Sequence, residues 1–502
     1  MTSGSMQRLP RSVGEVLDRP LALNPGGDAL VARDGRLTYA ELDASVDRTA
    51  GALHALGVGR GDVVAVSLPN TSDVVITFHA VLRLGAVWLG INRNLAPPEK
   101  DFILGDAGAR LLLADEQVGS SSCVVVAPAE WRAIGGGNYP RARPDGTDPA
   151  GIAYTSGTTG RPKGVVHSHR NVLLPGAVFA EARGFGAELR KGDCAALTIL
   201  NMQVTSTLLV AQTGGTQILI DRLDPVGVAE WMRREAVNAW FGVPTLLYGL
   251  AASPDVAPED LATLTDVWTG GTYLAEPVRQ AFETRFGKRV SATYGLTELP
   301  TVVTIEGRED DHPPGSSGPP LAHVVVEIRD NDERVLPAGD VGEITVRANP
   351  AGPWAGAYTP MLGYLGQPEA TAAAVRDGVL YTGDLGELDG EGRLFVRDRR
   401  HAVILRGGAN VYPAEVERVL LEVDGVCGAA VVGMADDRLG WRVVAAVELG
   451  DGAAVDAETL HSHCATELAR YKVPEQWRFG VLPRNAMGKV VRADVERWFT
   501  TD

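Results

Sequence analysis

The 502-residue sequence predicts an α/β protein with a large N-terminal domain and a smaller α+β C-terminal domain. Strand and helix signals alternate through the first third, a strand-rich stretch with turns covers 324–396, and the end of the chain again mixes strands and helices. Such alternation is typical of mostly parallel sheets covered by helices. We place the boundary at the charged segment 398–401, which gives domains 1–398 and 399–502.

The N-terminal domain has a clear first helix. Thr38 followed by Glu41 is a capping-box pattern, and apolar residues recur behind it at helical spacing. Gly57 ends this helix, and the run 63–68 is predicted to be a buried strand. A second helix is predicted over 72–84.

Later elements have similar signals. Asp224 and Pro225 predict a helix start, with Asp as the N-cap and Pro as the first helical residue. In the C-terminal domain Pro413 opens a helix. The strands predicted in the second half of the chain are 324–328, 342–346, 394–396, 429–432 and 443–447.

Composition excludes several classes of protein. Apolar residues make up 45% and charged residues 22%, which indicates a folded chain. The 47 basic residues against 63 acidic ones give a net charge of −16, which argues against nucleic-acid and anionic-membrane binding. A small anionic ligand is still compatible, because a glycine-rich loop can hold phosphate locally.

Two further features concern location. The longest apolar stretch, 78–91, is interrupted by His79 and Arg83 and is too short to span a membrane, and 1–10 has no secretory apolar run. The four cysteines form no CxxC pair. We expect all four to be small buried hydrophobes in a cytoplasmic protein.

The strongest motif is YTSGTTGRPKG at Tyr154–Gly164, which follows a predicted strand. Its glycines allow close approach of the backbone, and its hydroxyls, backbone N–H groups and lysine can surround an anion. A Walker A loop is excluded because Pro162 precedes Lys163 and a glycine follows it. A flexible linker is a poorer interpretation, because linkers rarely follow a buried strand with so many donors. No glycine-rich dinucleotide fingerprint follows an early strand, which disfavours an oxidoreductase.

This loop resembles the phosphate-binding motif of the adenylate-forming enzymes, which include acyl-CoA synthetases, peptide-synthetase adenylation domains and luciferases. Three further stretches agree in order. Tyr294–Glu298 resembles the adenine and magnesium motif, Tyr381–Asp384 the ribose motif, and Gly488-Lys489 the catalytic-lysine motif. The resemblance extends from about residue 15 to the end of the chain. It implies two mostly parallel helix-covered sheets, a small β-barrel-like subdomain, and a C-terminal domain that rotates about a hinge.

The resemblance implies a two-step reaction that uses ATP, Mg²⁺ and CoA. A carboxylate attacks the α-phosphorus to give acyl-AMP and pyrophosphate, and a thiol then displaces AMP. The implied catalytic residues are Lys489, Thr297 and Glu298, with Glu298 as the Mg²⁺ ligand. The implied ATP-binding residues are Thr155, Ser156, Gly157, Thr158, Thr159, Gly160, Lys163, Gly271, Thr272, Tyr294, Gly295, Thr297, Asp384 and Arg399.

The same resemblance places the hinge at His401 and the lining of a pantetheine tunnel at Gly407 and Gly408. This chain departs from the family at the hinge, where Lys or Asp is usual and Ala402 replaces an acid. A histidine there is either a pH-sensitive hinge or an exposed residue with no such role. Asn201 stands where the family usually has His. We interpret Asn201 as tailoring of the acyl pocket, the alternative being that one half-reaction is impaired.

The acyl pocket is expected to accept an apolar acid, either aryl, alicyclic or medium-chain. No Asp stands in 241–244 to pair with an amino group, which disfavours amino acids. Trp240 and Trp268 would suit a bulky or cyclic acid, although a buried Trp is more often core. The expected pocket residues are Asn201, Trp240, Phe241, Gly242, Val243, Trp268, Gly270, Gly271 and Thr272.

The sequence therefore predicts an AMP-forming acyl-CoA ligase that acts on a small carboxylic acid, as a monomer or homodimer. One alternative is a free-standing adenylation enzyme that loads the phosphopantetheine of a carrier protein. Another is an enzyme specialised for one half-reaction, and a third is a binding pseudoenzyme. No nucleic-acid partner is expected.

Overall fold

The computed structural model describes residues 9–115, 122–155, 162–271, 274–308, 312–399, 402–406, 409–436, 440–450, 452–485 and 488–500. The N-terminal quarter alternates strands with helices. Its strands are β1 (Asp28–Ala32), β2 (Gly35–Thr38), β3 (Val63–Ser67), β4 (Val87–Gly90), β5 (Leu111–Ala114) and β6 (Val124–Val126). Its helices are α1 (Asp18–Leu23), α2 (Tyr39–Ala55), α3 (Ser72–Arg83), α4 (Pro97–Asp106) and α5 (Pro128–Ile134), with a 3-10 turn at Val13–Glu15.

The next part continues the alternation. Its strands are β7 (Pro149–Thr155), β8 (Lys163–Ser168), β9 (Arg190–Asp193), β10 (Thr216–Leu219), β11 (Ala239–Phe241), β12 (Asp266–Gly270), β13 (Val290–Leu296) and β14 (Thr301–Ile305). Its helices are α6 (His169–Arg183), α7 (Leu200–Met202), a π-helical segment (Gln203–Leu208), α8 (Leu209–Thr213), α9 (Pro225–Arg234), α10 (Pro244–Ala252) and α11 (Glu276–Phe286), with a 3-10 turn at Pro258–Leu261.

The remaining elements are strand-rich and then mixed. The middle part has β15 (Val324–Arg329), β16 (Gly342–Ala348), β17 (Gly363–Tyr364), α12 (Pro368–Ala374), β18 (Val375–Arg376), β19 (Val379–Leu388) and β20 (Leu394–Arg399). The C-terminal part has β21 (Ile404–Arg406), β22 (Ala409–Val411), α13 (Pro413–Leu420), β23 (Val426–Asp436), β24 (Gly440–Leu449), α14 (Ala457–Glu467), β25 (Gln476–Phe479) and α15 (Arg492–Thr500).

The predicted helix starts are confirmed. The Thr38 hydroxyl accepts a hydrogen bond from the Glu41 N–H at 3.3 Å, while the Glu41 carboxylate accepts one from the Thr38 N–H at 2.9 Å. The Asp224 carboxylate accepts a hydrogen bond from the Gly227 N–H at 2.9 Å, with Pro225 as the first helical residue. In each case a side chain satisfies an N–H group that the first helical turn leaves open.

Two large, mostly parallel sheets form the N-terminal domain, as predicted. The seven-stranded sheet has the order β17-β8-β7-β4-β3-β5-β6, and the eight-stranded sheet has the order β14-β13-β12-β11-β9-β10-β1-β2. Antiparallel pairs occur at the edges of both sheets. The link between β7 and β8 is too short for the crossover that a parallel pair requires, so these two strands form a hairpin.

Smaller sheets follow along the chain. An antiparallel five-stranded sheet corresponds to the expected small β subdomain. Its strand order is β15-β16-β19-β18, with β20 paired to β19. A separate small C-terminal domain contains the hairpin β21-β22 and the sheet β23-β24-β25, packed on α13, α14 and α15.

The apolar stretch 78–91 lies in the protein core. Helix α3 is buried at 11 of its 12 positions, because it packs against other helices and strands of the N-terminal domain. Arg83 on this helix is buried and forms ion pairs with Asp43 and Asp47. Among the residues described, no helix has both the length and the apolarity required to cross a membrane.

The cysteine prediction is partly wrong. All four cysteines lie in described parts of the chain and are thiols. Cys194 and Cys464 are buried, and burial raises the pKa of each thiol to about 12. Cys427, however, is exposed on β23, and Cys123 is only half-buried. The prediction failed for these two because apolar composition does not fix which face of a strand or loop a small residue occupies.

Candidate active site

The glycine-rich motif connects the two strands of an edge hairpin. Thr155 ends β7 and pairs with Lys163, the first residue of β8. A Cβ at Gly164 would lie only 3.0 Å from the Tyr154 ring, which explains glycine at that position. The loop residues Ser156, Gly157, Thr158, Thr159 and Gly160 lie outside the described residues. The hairpin thus places both ends of the loop at one edge of the seven-stranded sheet.

The expected binding residues Gly270 and Gly271 lie at the carboxyl end of β12, beside β13. These parallel strands pair Gly270 with Thr293, and a Cβ at Gly270 would collide with the Thr293 hydroxyl. Gly271 follows with φ +81°, a conformation that favours glycine. Ligands of open α/β sheets bind at this end of the strands. Thr272 lies outside the described residues.

The predicted adenine and ribose motifs meet directly. The Tyr294 hydroxyl, at the end of β13, donates a hydrogen bond to Asp384 Oδ2 at 2.7 Å. Asp384 lies on β19, where it pairs with Arg399 of β20. The carboxylate has further lone pairs for other donors. Residues about ninety positions apart in the sequence therefore form one polar corner.

The phosphate motif and the magnesium motif also converge. The His167 Nε2–H on β8 donates to the Thr297 carbonyl at 2.8 Å. The Tyr364 hydroxyl on β17 donates to Glu298 Oε1 at 2.8 Å, and the Lys163 ammonium lies 5.1 Å from the centre of the Tyr364 ring. The edge of the seven-stranded sheet therefore touches the turn that follows β13 of the eight-stranded sheet.

Burial explains the protonation state of His167. Its side chain is fully buried, which lowers its pKa to about 4. The ring is therefore neutral at pH 7, and because a carbonyl can only accept a hydrogen bond, Nε2 must carry the proton. Sequence reasoning missed both His167 and Tyr364 as site residues.

The expected acyl-pocket residues occupy two environments. Phe241, Val243 and Gly270 are half-buried at the ends of β11 and β12, and Gly242 is buried beside them. Trp240 and Trp268 are buried in hydrophobic cores, with exposures of 0% and 1%. A Cβ at Gly242 would collide with the Trp240 ring, so this indole lies directly behind Gly242. The two indoles lie in different clusters, because Trp240 and Trp268 face opposite sides of the sheet.

Asn201 lies in α7, immediately before the π-helical segment. It is half-buried, and its Oδ1 is buried without a hydrogen-bond partner among the residues that the structure describes. A buried acceptor without a partner costs free energy unless a ligand or water supplies a donor. Irregular π-helical turns occur frequently at functional sites.

Lys489 lies on a tight turn of the C-terminal domain. Gly488 has φ +77°, and its N–H donates to the Asn485 carbonyl at 2.8 Å. The Lys489 N–H donates to Asn485 Oδ1 at 3.0 Å, and the Lys489 side chain is exposed. The hinge His401 and the glycines Gly407 and Gly408 lie outside the described residues.

The residues present fit a magnesium ion that is shared with a nucleotide. Among the described residues, no group of three or more His, Cys, Asp or Glu could hold a metal by itself. Glu298 offers one carboxylate at the turn after β13. Mg²⁺ is commonly bound through one or two carboxylates together with substrate phosphates.

Comparison with known proteins agrees with this geometry. The sequence profile described as "AMP-binding enzyme" matches residues 17–363, and the profile described as "AMP-binding enzyme C-terminal domain" matches 415–489. A feruloyl-CoA synthase from Amycolatopsis sp is 34% identical, over 96% of this chain and 98% of that protein. The long-chain-fatty-acid–CoA ligase FadD13 from Mycobacterium tuberculosis is 31% identical, over 96% of this chain and 97% of that protein.

A solved structure extends the agreement to the whole fold. The O-succinylbenzoate coenzyme A synthetase from Bacillus subtilis, in complex with ATP and magnesium ion, matches with a TM-score of 0.87 and 30% identity. The match covers 96% of this chain and 99% of that one. From the motifs, the convergence of the two sheets and these matches, we conclude that the chain belongs to the AMP-binding enzyme family.

Proposed function

We propose that this protein is an AMP-forming acid–thiol ligase that converts an apolar carboxylic acid to its CoA thioester. The observation that carries the proposal is the convergence of Lys163, Thr297 and Glu298 where the edges of the two large sheets meet. Family membership and the named CoA ligases among its relatives support the same reaction.

In the first step, a carboxylate oxygen of the acid forms a bond to the α-phosphorus of ATP. The bond between that phosphorus and the bridging oxygen breaks, and pyrophosphate leaves. In the second step, the sulfur of CoA, having lost its proton, attacks the acyl carbon. The bond from this carbon to the phosphate oxygen breaks, which gives the thioester and AMP.

The residues supply positioning and charge, on which phosphoryl transfer mainly depends. The loop 155–160 and Lys163 hold the β- and γ-phosphates, and the Thr297 hydroxyl reaches the α-phosphate. Glu298 would hold Mg²⁺ together with the nucleotide phosphates, and the cation would offset the charge that develops during the transfer. Lys489 contacts the carboxylate and the α-phosphate during adenylation.

The nucleoside is held at the polar corner of Tyr294 and Asp384. Tyr294 presents its ring to adenine, and its hydroxyl orients Asp384. The Asp384 carboxylate accepts hydrogen bonds from the ribose hydroxyls. Arg399, paired with Asp384 across β19 and β20, supports the ribose or phosphate, and Gly271, Thr272 and Gly295 provide flat backbone beside the adenine.

The second step requires Lys489 to leave and the thiol to enter. We propose that domain 399–502 rotates against domain 1–398 about His401, and that Gly407 and Gly408 line the thiol passage. The profile matches end and begin on either side of this boundary. Asp398 accepts a hydrogen bond from the Ala414 N–H at 2.8 Å, so the last strand before the hinge contacts the first helix after it.

We propose an aryl, alicyclic or medium-chain acid. At the ends of β11 and β12 the acid would contact the half-buried Phe241, Val243 and Gly270, with Asn201 as the polar group. A relative that acts on feruloyl groups supports an aryl acid. The free thiols of the four cysteines and the need for ATP and CoA favour the cytoplasm. Because the proposed site lies within one chain, the protein can act as a monomer or a homodimer.

The test is a panel of carboxylic acids, assayed for pyrophosphate release with and without CoA. With an aryl or medium-chain acid and ATP, we expect the enzyme to release pyrophosphate even without CoA. When CoA is present, we expect it to form acyl-CoA. Acyl transfer to a phosphopantetheinylated carrier protein, but not to CoA, would instead identify a loading enzyme. Absence of both AMP formation and consumption of supplied acyl-AMP would refute the proposal.

A further inference from the structure

We propose that Tyr364 is a positioning residue for magnesium binding, because its hydroxyl holds the Glu298 carboxylate in the orientation that the cation needs. The inference rests on the proposed function, in which Glu298 binds Mg²⁺. Tyr364 belongs to none of the four sequence motifs and is 66 positions from Glu298 along the chain.

The backbone of Tyr364 is fixed from both sides. Tyr364 pairs with Val165 of β8, and the neighbouring Leu365 N–H donates to the Gly164 carbonyl at 2.7 Å. The Tyr364 N–H donates to the Thr371 hydroxyl at 2.9 Å. The position of the phenol is therefore set by the same strand that begins with Lys163.

The hydrogen bond uses one oxygen of the carboxylate. Tyr364 donates to Glu298 Oε1 at 2.8 Å, which fixes the rotamer and leaves Oε2 available for a cation. Groups that hydrogen-bond a metal-ligating carboxylate orient it and tune its affinity for the metal. The bond also joins a residue of the seven-stranded sheet to the turn after β13 of the other sheet.

A second contact supports the same attachment. One residue before Glu298, the Thr297 carbonyl accepts a hydrogen bond from His167 of β8 at 2.8 Å. The turn is thus held at two successive residues by the edge strands β8 and β17. Because Lys163 lies 5.1 Å from the Tyr364 ring centre, this edge also positions the lysine of the phosphate loop.

The test measures ATP binding by calorimetry on the full chain, with Mg²⁺ and with EDTA, so no acid substrate is required. Tyr364→Phe removes only the hydroxyl and keeps the ring beside Lys163. We expect the gain in ATP affinity due to Mg²⁺ to fall about tenfold, with affinity in EDTA unchanged within about twofold. An unchanged gain, or an equal loss of affinity in EDTA, would overturn the inference.

Two further variants separate the possible failures. In Glu298→Gln the Mg²⁺-dependent gain should be lost, and Tyr364→Phe added to it should change nothing more, because the tyrosine acts through the carboxylate. An additive double variant would contradict this route. If Glu298→Gln keeps the gain, the proposed cation role of Glu298 fails, and the role of Tyr364 fails with it. If the wild type does not bind ATP at all, the proposed function itself is wrong.

The matched control is Tyr139→Phe. Tyr139 also donates its hydroxyl to a carboxylate, that of Asp47, but this pair lies beside Arg83, away from the nucleotide residues. Its Mg²⁺-dependent gain should equal that of the wild type. A loss as large as that of Tyr364→Phe would show that any tyrosine–carboxylate pair produces the effect, and would overturn the inference.

Discussion

At the scale of single residues, Asp384 combines an observed hydrogen bond from Tyr294 with a proposed role in ribose binding, and the two differ in their need for charge. Its carboxylate accepts a hydrogen bond from the Tyr294 hydroxyl at 2.7 Å. We propose that it also accepts hydrogen bonds from the ribose hydroxyls. The side-chain amide of an asparagine could still accept a hydrogen bond through its oxygen. It carries no charge, however, and its nitrogen is a donor. The two roles can therefore be separated by an isosteric substitution.

We predict that Asp384→Asn weakens ATP binding about 10- to 100-fold, because hydrogen bonds to a charged group contribute about 1.5–3 kcal/mol. The KM for ATP in a pyrophosphate-release assay measures this change. Asp332→Asn, in an exposed turn whose carboxylate contacts Arg334, serves as the control and should behave as the wild type. An unchanged KM in Asp384→Asn would contradict the ribose assignment.

We predict that Lys489→Ala abolishes adenylation but leaves thioesterification of supplied acyl-AMP largely intact. The reason is that, in the proposed mechanism, the ammonium acts only while charge develops on the carboxylate and α-phosphate. Pyrophosphate release measures the first step, and acyl-CoA formation from synthetic acyl-AMP measures the second. Equal loss of both would show that the lysine is misplaced.

Residues that lie within motifs were predictable from sequence, whereas their supporting partners were not. Lys163, Tyr294, Glu298 and Asp384 stand in short runs that resemble the phosphate, adenine, magnesium and ribose motifs of the family. Tyr364 has no such run, because its role arises from the pairing of the two-residue strand β17 with β8. That pairing is a tertiary contact without a local signature.

At the scale of elements, strand β8 does more than end the glycine-rich loop. His167, four residues after Lys163, points into the protein and donates to the Thr297 carbonyl. The strand therefore connects the loop hairpin to the turn after β13. Removing the donor would leave a carbonyl of this turn without its partner, at a cost of about 1–3 kcal/mol.

We predict that His167→Leu lowers kcat/KM for ATP about tenfold, and that His167→Gln restores most of it because the glutamine amide can donate from a similar position. Pyrophosphate release measures the effect, and the thermal midpoint of each variant is recorded alongside. Equal activity of the two variants would show that only packing, and not the hydrogen bond, matters at this position.

Elements that are fixed by contacts between residues close in sequence could be predicted, whereas those fixed by tertiary contacts could not. The helix starts at Thr38 and Asp224 were predicted because capping depends on residues three positions apart. The π-helical segment 203–208 was not predicted. All of its residues are buried, so its wider turn depends on tertiary packing and not on a local sequence preference. The same applies to Trp240 and Trp268, whose burial follows from the neighbouring helices.

At the scale of the whole molecule, the order of domains was predictable and their relation was not. Four motifs in sequence order indicate two domains and a shared site. The hydrogen bond from Ala414 to Asp398 is one contact between them. A rotating domain needs contacts that can exchange, and such contacts leave no strong pattern in the sequence.

Among the residues that the structure describes, four histidines are buried and contribute to the response of the protein to acid. Burial lowers the pKa of His79 and His323 to about 3, and that of His167 and His169 to about 4. In the unfolded chain each has a pKa near 6.5. Their stabilising contribution is thus fully present above pH 6.5, and it is lost as pH falls because the unfolded state binds more protons.

We predict that the free energy of unfolding decreases from pH 6.5 to pH 5, with a slope for each of these histidines that approaches about 1.4 kcal/mol per pH unit at the acid end. His323 is the cleanest single test, because neither ring nitrogen has a hydrogen-bond partner among the residues that the structure describes. His323→Phe should reduce the slope by one histidine's share, measured by urea unfolding of the full chain at pH 7.5, 6 and 5. Carboxylates with a raised pKa, such as Asp73 and Glu417, contribute equally to both proteins and cancel in the difference. A slope identical to that of the wild type would mean that His323 is protonated or solvated in the folded state.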